Sequence, residues 1–151
     1  MRKLLFALIL ACLASTSGAQ CVSGTVGCSI SNTGTVSMSL TVVNINSAAS
    51  DNALAVPYTK YIIRRVTIYD ASTSLAVSIA TLGVFTGAGG TGTTLVTPAT
   101  MTTLTAATTF VDSSLAVTTS YQTAQPLYIR NVTAHGSAAT VSVKLEIQPL
   151  S

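Results

Sequence analysis

Hydrophobic residues in this chain come in short runs interleaved with Ser and Thr, the two-residue period of a strand with one buried face. Val36, Met38, Leu40 and Val42 alternate with Ser37, Ser39 and Thr41, while residues 44–52 are small and polar and read as a loop. Residues 61–69 (YIIRRVTIY) form a second strand, rich in β-branched and aromatic side chains. Strict alternation there puts Ile62, Arg64, Val66 and Ile68 on one face and Tyr61, Ile63, Arg65, Thr67 and Tyr69 on the other. Leu75, Val77 and Ile79 alternate again, and Val84-Phe85 opens a strand closed by the glycine-rich residues 87–90.

Residues 91–109 are Thr-rich and weakly patterned, with 94–96 and 101–104 readable as short edge strands or as loop. Phe110-Val111 and residues 115–117 suggest a further hairpin. After Pro126, Leu127, Ile129 and Asn131 oppose Tyr128, Arg130 and Val132. The clearest alternation comes last, with Val141, Val143, Leu145 and Ile147 against Ser142, Lys144, Glu146 and Gln148. Seven to nine such strands, with no stretch of helical period, predict an all-β chain: one antiparallel β-sandwich or jelly roll over residues 34–151.

Composition supports that class and narrows the chemistry. Only 7% of the 151 residues are charged, against roughly 25% in an average protein. So little Lys and Arg argues against a nucleic-acid-binding surface. Residues 1–19 read as a secretory signal: Arg2 and Lys3, an apolar stretch over 4–13, then Ser17-Gly18-Ala19 as a small-x-small cleavage site. The apolar stretch is too short for a stable membrane span. Cleavage after Ala19 would remove two of the seven basic residues, so the basic balance is poor evidence for an anionic partner. Two other readings of the leader stand beside this one: lipidation at Cys12 within ILAC (9–12), and retention as an uncleaved anchor. Export fits Cys21 and Cys28, the one cysteine pair left in the mature chain, as a short-loop disulfide in an N-terminal arm over 20–33.

Catalytic signals are weak. Residues 87–92 (GAGGTG) lack the Lys-Ser/Thr of a phosphate loop, and no helix pattern follows them. His135 is the single imidazole, and no Ser or Thr stands out as its nucleophile. Three Asp and one Glu, scattered, do not form a metal-binding pattern. The expectation is therefore no catalytic residue, no cofactor and no metal. Arg64-Arg65 is more informative, because neighbours on a regular strand face opposite ways. One arginine would then point at the core or a subunit interface and need a partner such as Asp70 or Asp112. The competing reading is an edge strand whose arginine snorkels outward. Asn131-Val132-Thr133 fits a glycosylation sequon.

Several stretches together resemble small β-rich structural modules of tailed bacteriophages: 61–69, 71–75 (ASTSL), 83–91 (GVFTGAGGT), 126–134 (PLYIRNVTA) and 136–143 (GSAATVSV). The resemblance implies a virion-associated β-sandwich, such as a head-decoration, head-fibre or tail-associated subunit, with no catalytic residues to carry over. The leader departs from that pattern, since virion proteins assemble in the cytoplasm. The leading expectation is a non-enzymatic structural protein, exported by its leader and virion-borne if the resemblance holds. Its partners would be further copies of itself or phage particle proteins, with Arg64 and Arg65 at the interface. The alternative is a secreted adhesin or glycan-binding sandwich, using Tyr and Asn in loops such as 86–93 and 119–125.

Overall fold

The structure is a computed structural model that describes residues 26–30 as backbone and residues 34–150 in full. Residues 1–19, read above as a signal, lie outside the described residues, as do Cys12 and Cys21, so the expected Cys21–Cys28 disulfide lies outside them as well. Nine strands are present among the described residues: β1 (Val26–Ile30), β2 (Val36–Asn44), β3 (Ser50–Leu54), β4 (Tyr61–Tyr69), β5 (Thr81–Phe85), β6 (Thr94–Thr100), β7 (Phe110–Asp112), β8 (Leu127–Thr133) and β9 (Thr140–Pro149). They form two antiparallel sheets, ordered β1-β2-β9-β4-β7 and β3-β8-β5-β6.

The pairing has one simple logic. β5 pairs with β6, β4 with β7, β3 with β8 and β2 with β9, so the chain from β2 onward is one long hairpin folded at residues 86–93. Rolling that ribbon up adds the β4–β9 and β5–β8 pairings and closes a two-sheet jelly roll. β1 extends the first sheet beyond β2. The all-β sandwich expected from the two-residue period is the fold.

Side chains from both sheets meet in one core. Val141, Val143, Leu145 and Ile147 of β9 are all at most 1% exposed, as their alternation predicts. Leu127, Ile129 and Asn131 of β8 are likewise fully buried. The flanks of β9 are less regular. In β2 the register with β9 shifts between Leu40 and Val43, and in β4 it shifts between Ile63 and Arg65. Each shift is a β-bulge, which inserts one residue and reverses the in–out phase beyond it. Val42 therefore turns outward, 70% exposed at φ 59°, and Val43 takes the core position.

In β4 the inward set becomes Tyr61, Ile63, Val66 and Ile68, and Arg64 and Arg65 both face solvent. The expectation that one arginine points inward is overturned, because the bulge removes the alternation on which it rested.

Other elements also depart from the pattern. β3 occupies part of the stretch read as loop; it is an edge strand held by main-chain pairing to β8, with Leu54 as its fully buried residue. Residues 71–80 are not a strand. Leu75 is buried in the core and its amide donates to Leu104 O, the chain turns from Leu75 to Ser78, and Val77 and Ile79 stand outside. Residues 115–117 do not pair with β7; Leu115 instead bridges to Val96 beside β6.

Candidate functional site

The outer face of the five-stranded sheet carries most of the charge in a chain that has little. Across β9, β4 and β7 the register sets Glu146 beside Arg65, Lys144 beside Thr67 and Asp112, and Ser142 beside Tyr69 and Phe110. Outward residues of these rows, with residues 107–109 of the preceding loop, line a cleft of about 380 Å³. Arg65 Nη2 lies 2.9 Å from Asp112 Oδ2, and Thr67 donates its hydroxyl to Asp112 Oδ1 at 2.7 Å. Both oxygens of Asp112 are thus engaged. Lys144 Nζ lies 2.9 Å from Glu146 Oε1 on the same strand. Each ion pair is solvent-exposed and contributes on the order of 1 kcal/mol at most. Their value is to fix the direction of four charged side chains.

Arg64, the other arginine of the pair, lies apart from this cleft. Its guanidinium donates to Gln148 Oε1, with Nε at 2.9 Å. Of the two carboxylates among the partners expected for the arginines, Asp112 pairs with Arg65, whereas Asp70 accepts from Ser142 at 3.4 Å.

A tighter ionic group lies on the other sheet. Arg130 on β8 meets Asp51 on β3 at 2.6 Å, and the Gly89 amide donates to the second Asp51 oxygen at 2.6 Å. Partial burial pushes the Asp51 carboxyl up, but the Gly89 amide and Arg130 outweigh it and leave it below its ordinary value. Gly90, at φ 75°, passes close enough to Arg130 that a Cβ there would sit 3.3 Å from its Cδ. The glycine-rich turn therefore packs against an arginine at Gly90, while a Cβ on Gly87 or Gly92 would run into Thr91 or Thr86. Of the two loops read as candidate ligand sites, 86–93 is committed to this packing.

The structure does bring His135 to a hydroxyl: its Nδ1 lies 2.7 Å from Ser78 Oγ. Ser78 is 4% exposed, and its oxygen also accepts from the Ala80 amide at 3.0 Å. That geometry ties the β4–β5 and β8–β9 connections together and leaves the hydroxyl without an approach for a substrate. Asn131 is also committed inward. Its Nδ2 donates to Ile45 O at 2.9 Å and Ser47 O at 2.7 Å, so the sequon is closed in the folded chain.

Sequence reasoning found Arg65 but missed Thr67, Tyr69, Phe110, Lys144 and Glu146 as parts of one surface. Outward alternation on the last strand was the available signal for Lys144 and Glu146. Nothing local placed β7 beside β4. Among the described residues, no helix is long and apolar enough to cross a membrane, and no group of His, Cys, Asp and Glu could hold a metal ion. The chain matches no family model, and neither the curated proteins nor the solved structures give a match to it.

Proposed function

We propose that this chain is a non-enzymatic structural protein, a jelly-roll subunit that associates with copies of itself or attaches to a larger particle. The observation that carries this reading is the end of the sandwich formed by the β2–β3, β4–β5, β6–β7 and β8–β9 connections. Those connections carry Asp70 and His135 and no other ionisable side chain. Toward the same end lie the exposed aliphatic side chains Val42 (70%), Val77 (92%) and Ile79 (68%). Among the described residues, the three non-glycine positions with positive φ, Val42, Ala49 and Asp70, also fall there. Exposed apolar side chains on a surface with little charge favour association, and backbone strain concentrates where function demands it.

Jelly rolls serve in capsids and in lectins, so the architecture admits this role without selecting it. The likeness to phage structural modules supports a virion as the particle, and the leader supports export.

Light scattering coupled to size-exclusion chromatography, on the chain beginning at Gln20, tests the reading. A defined oligomer is expected, reduced to monomer by Val77→Asp with Ile79→Asp. Arg64→Ala with Arg65→Ala should leave it intact if the apolar end is the contact; loss of the oligomer there would move the interface to the arginine face. A monomer at every concentration would remove self-association.

A further inference from the structure

We propose that the cleft across β9, β4 and β7 is a binding site for an uncharged saccharide. This goes beyond the assembly reading and does not depend on it: residues 107–109 of the β6–β7 connection border both surfaces, but none of Val42, Val77 and Ile79 lines the cleft.

The charges in the cleft are the first argument. Two cations and two carboxylates face it, and each cation is paired with a carboxylate of the same cleft at 2.9 Å. A charged ligand would have to break one of those pairs or bury an unpaired charge beside it. A polyol need not, because hydroxyl groups donate to carboxylate oxygens and accept from guanidinium and ammonium N–H while the pairs stay closed.

The second argument is the aromatic row. Tyr69 and Phe110 are directly opposed across β4 and β7 and both line the cleft. Phe110 is 63% exposed, a large apolar ring left beside a set of fixed polar groups. An aromatic face next to directed donors and acceptors matches the two sides of a pyranose, its apolar C–H face and its equatorial hydroxyls.

Dimensions agree as well. The aromatic row lies two residues along β4 from Thr67 and four from Arg65, so the cleft runs about 13 Å at the usual rise of a strand. That length and a volume of about 380 Å³ suit one or two sugar rings. Asp112 is preorganised for such a ligand, since Thr67 and Arg65 hold its two oxygens before anything binds.

Saturation-transfer NMR with cellobiose, lactose, maltose and N,N′-diacetylchitobiose, followed by a glycan array, is the test. At least one neutral saccharide is expected to bind with a Kd of about 1 mM or tighter. Phe110→Ala should weaken it at least about tenfold, while Thr97→Ala, exposed on β6 of the other sheet, should leave it unchanged. Thr108→Arg provides a second variant, since it obstructs the cleft from an exposed loop position and leaves the core alone. Amide spectra of each variant establish that the sandwich is intact. Affinity for the neutral ligand should be nearly independent of salt. The proposal is overturned if no neutral saccharide binds at about 10 mM, if binding survives both cleft variants, or if only anionic glycans bind with steep salt dependence.

Discussion

β9 and its two neighbours bury similar residues by different means. β9 alternates without interruption along its core-facing half, and its inward row is Val141, Val143, Leu145 and Ile147. β2 and β4 each slip by one residue against it, at opposite ends of β9, and each slip leaves two consecutive residues exposed. β9 is paired on both sides along most of its length, so its phase is fixed, whereas β1 pairs with β2 at Val36–Leu40 and β7 with β4 at Thr67–Tyr69, and each bulge falls beyond that outer pairing. Strands that flank it can take in an extra residue and re-aim their outer face. The regular strand sets the core, and the bulged strands set what the surface presents.

Deleting one residue from each kind of strand separates them most sharply. Removal of Lys144 would turn either Leu145 and Ile147 or Val141 and Val143 away from the core. At roughly 1.5–3 kcal/mol for each buried aliphatic, that is a large share of the roughly 5–15 kcal/mol that holds a domain folded. Far-UV circular dichroism and denaturant titration should find this variant unfolded. Asn131→Ala tests a polar member of an otherwise apolar inward row. It leaves two loop carbonyls without their donor and should cost about 2–3 kcal/mol.

The bulges should respond in the opposite sense. Val42→Gly relieves a β-branched residue at φ 59° whose side chain is 70% exposed, and should raise stability by about 1 kcal/mol. A loss of stability would show that the Val42 side chain is held by contacts that its exposure does not suggest. Deletion of Arg64 should change stability least, within about 1 kcal/mol, because Tyr61, Ile63, Val66 and Ile68 then alternate without a break. Tyr61 reports on that outcome. It is fully buried, donates to Ala124 O at 2.6 Å, and burial pushes its hydroxyl up to about 12 from 10.0. Its contribution is complete below pH 10 and is lost as pH rises from 10 to about 12. Phenolate absorbance should show Tyr61 ionising late in both the parent and the Arg64 deletion, as does Tyr58, which burial also pushes up; early ionisation of Tyr61 in the deletion would mean that β4 had turned over.

Legibility in the sequence follows the same division. The inward rows of β8 and β9, and the first half of β2, could be read because burial on one face writes a period of two. The second half of β2 and the facing of β4 could not, since a bulge leaves no composition mark and makes Arg64-Arg65 look like a split pair. β3 was hidden for a different reason: Ser50, Asp51 and Asn52 are loop-like residues held in a strand by main-chain bonds to β8. The alternation of Leu75, Val77 and Ile79 misled in the other direction, as a periodic stretch that the backbone uses for a turn. The cleft was legible only in part. Its charges lie on readable strands, but Tyr69 meets Phe110 only through a pairing 41 residues apart in sequence.

The nested hairpin also fixes the order in which the molecule can be completed. β5 and β6 can zip as soon as residues 81–100 exist, whereas Val36 of β2 waits for Ile147 of β9. All of residues 36–147 must therefore be made before the central sheet can close. Folding that depends on such distant partners is slow. During that interval a chain with few charges has little to keep its open edges from pairing with those of another chain.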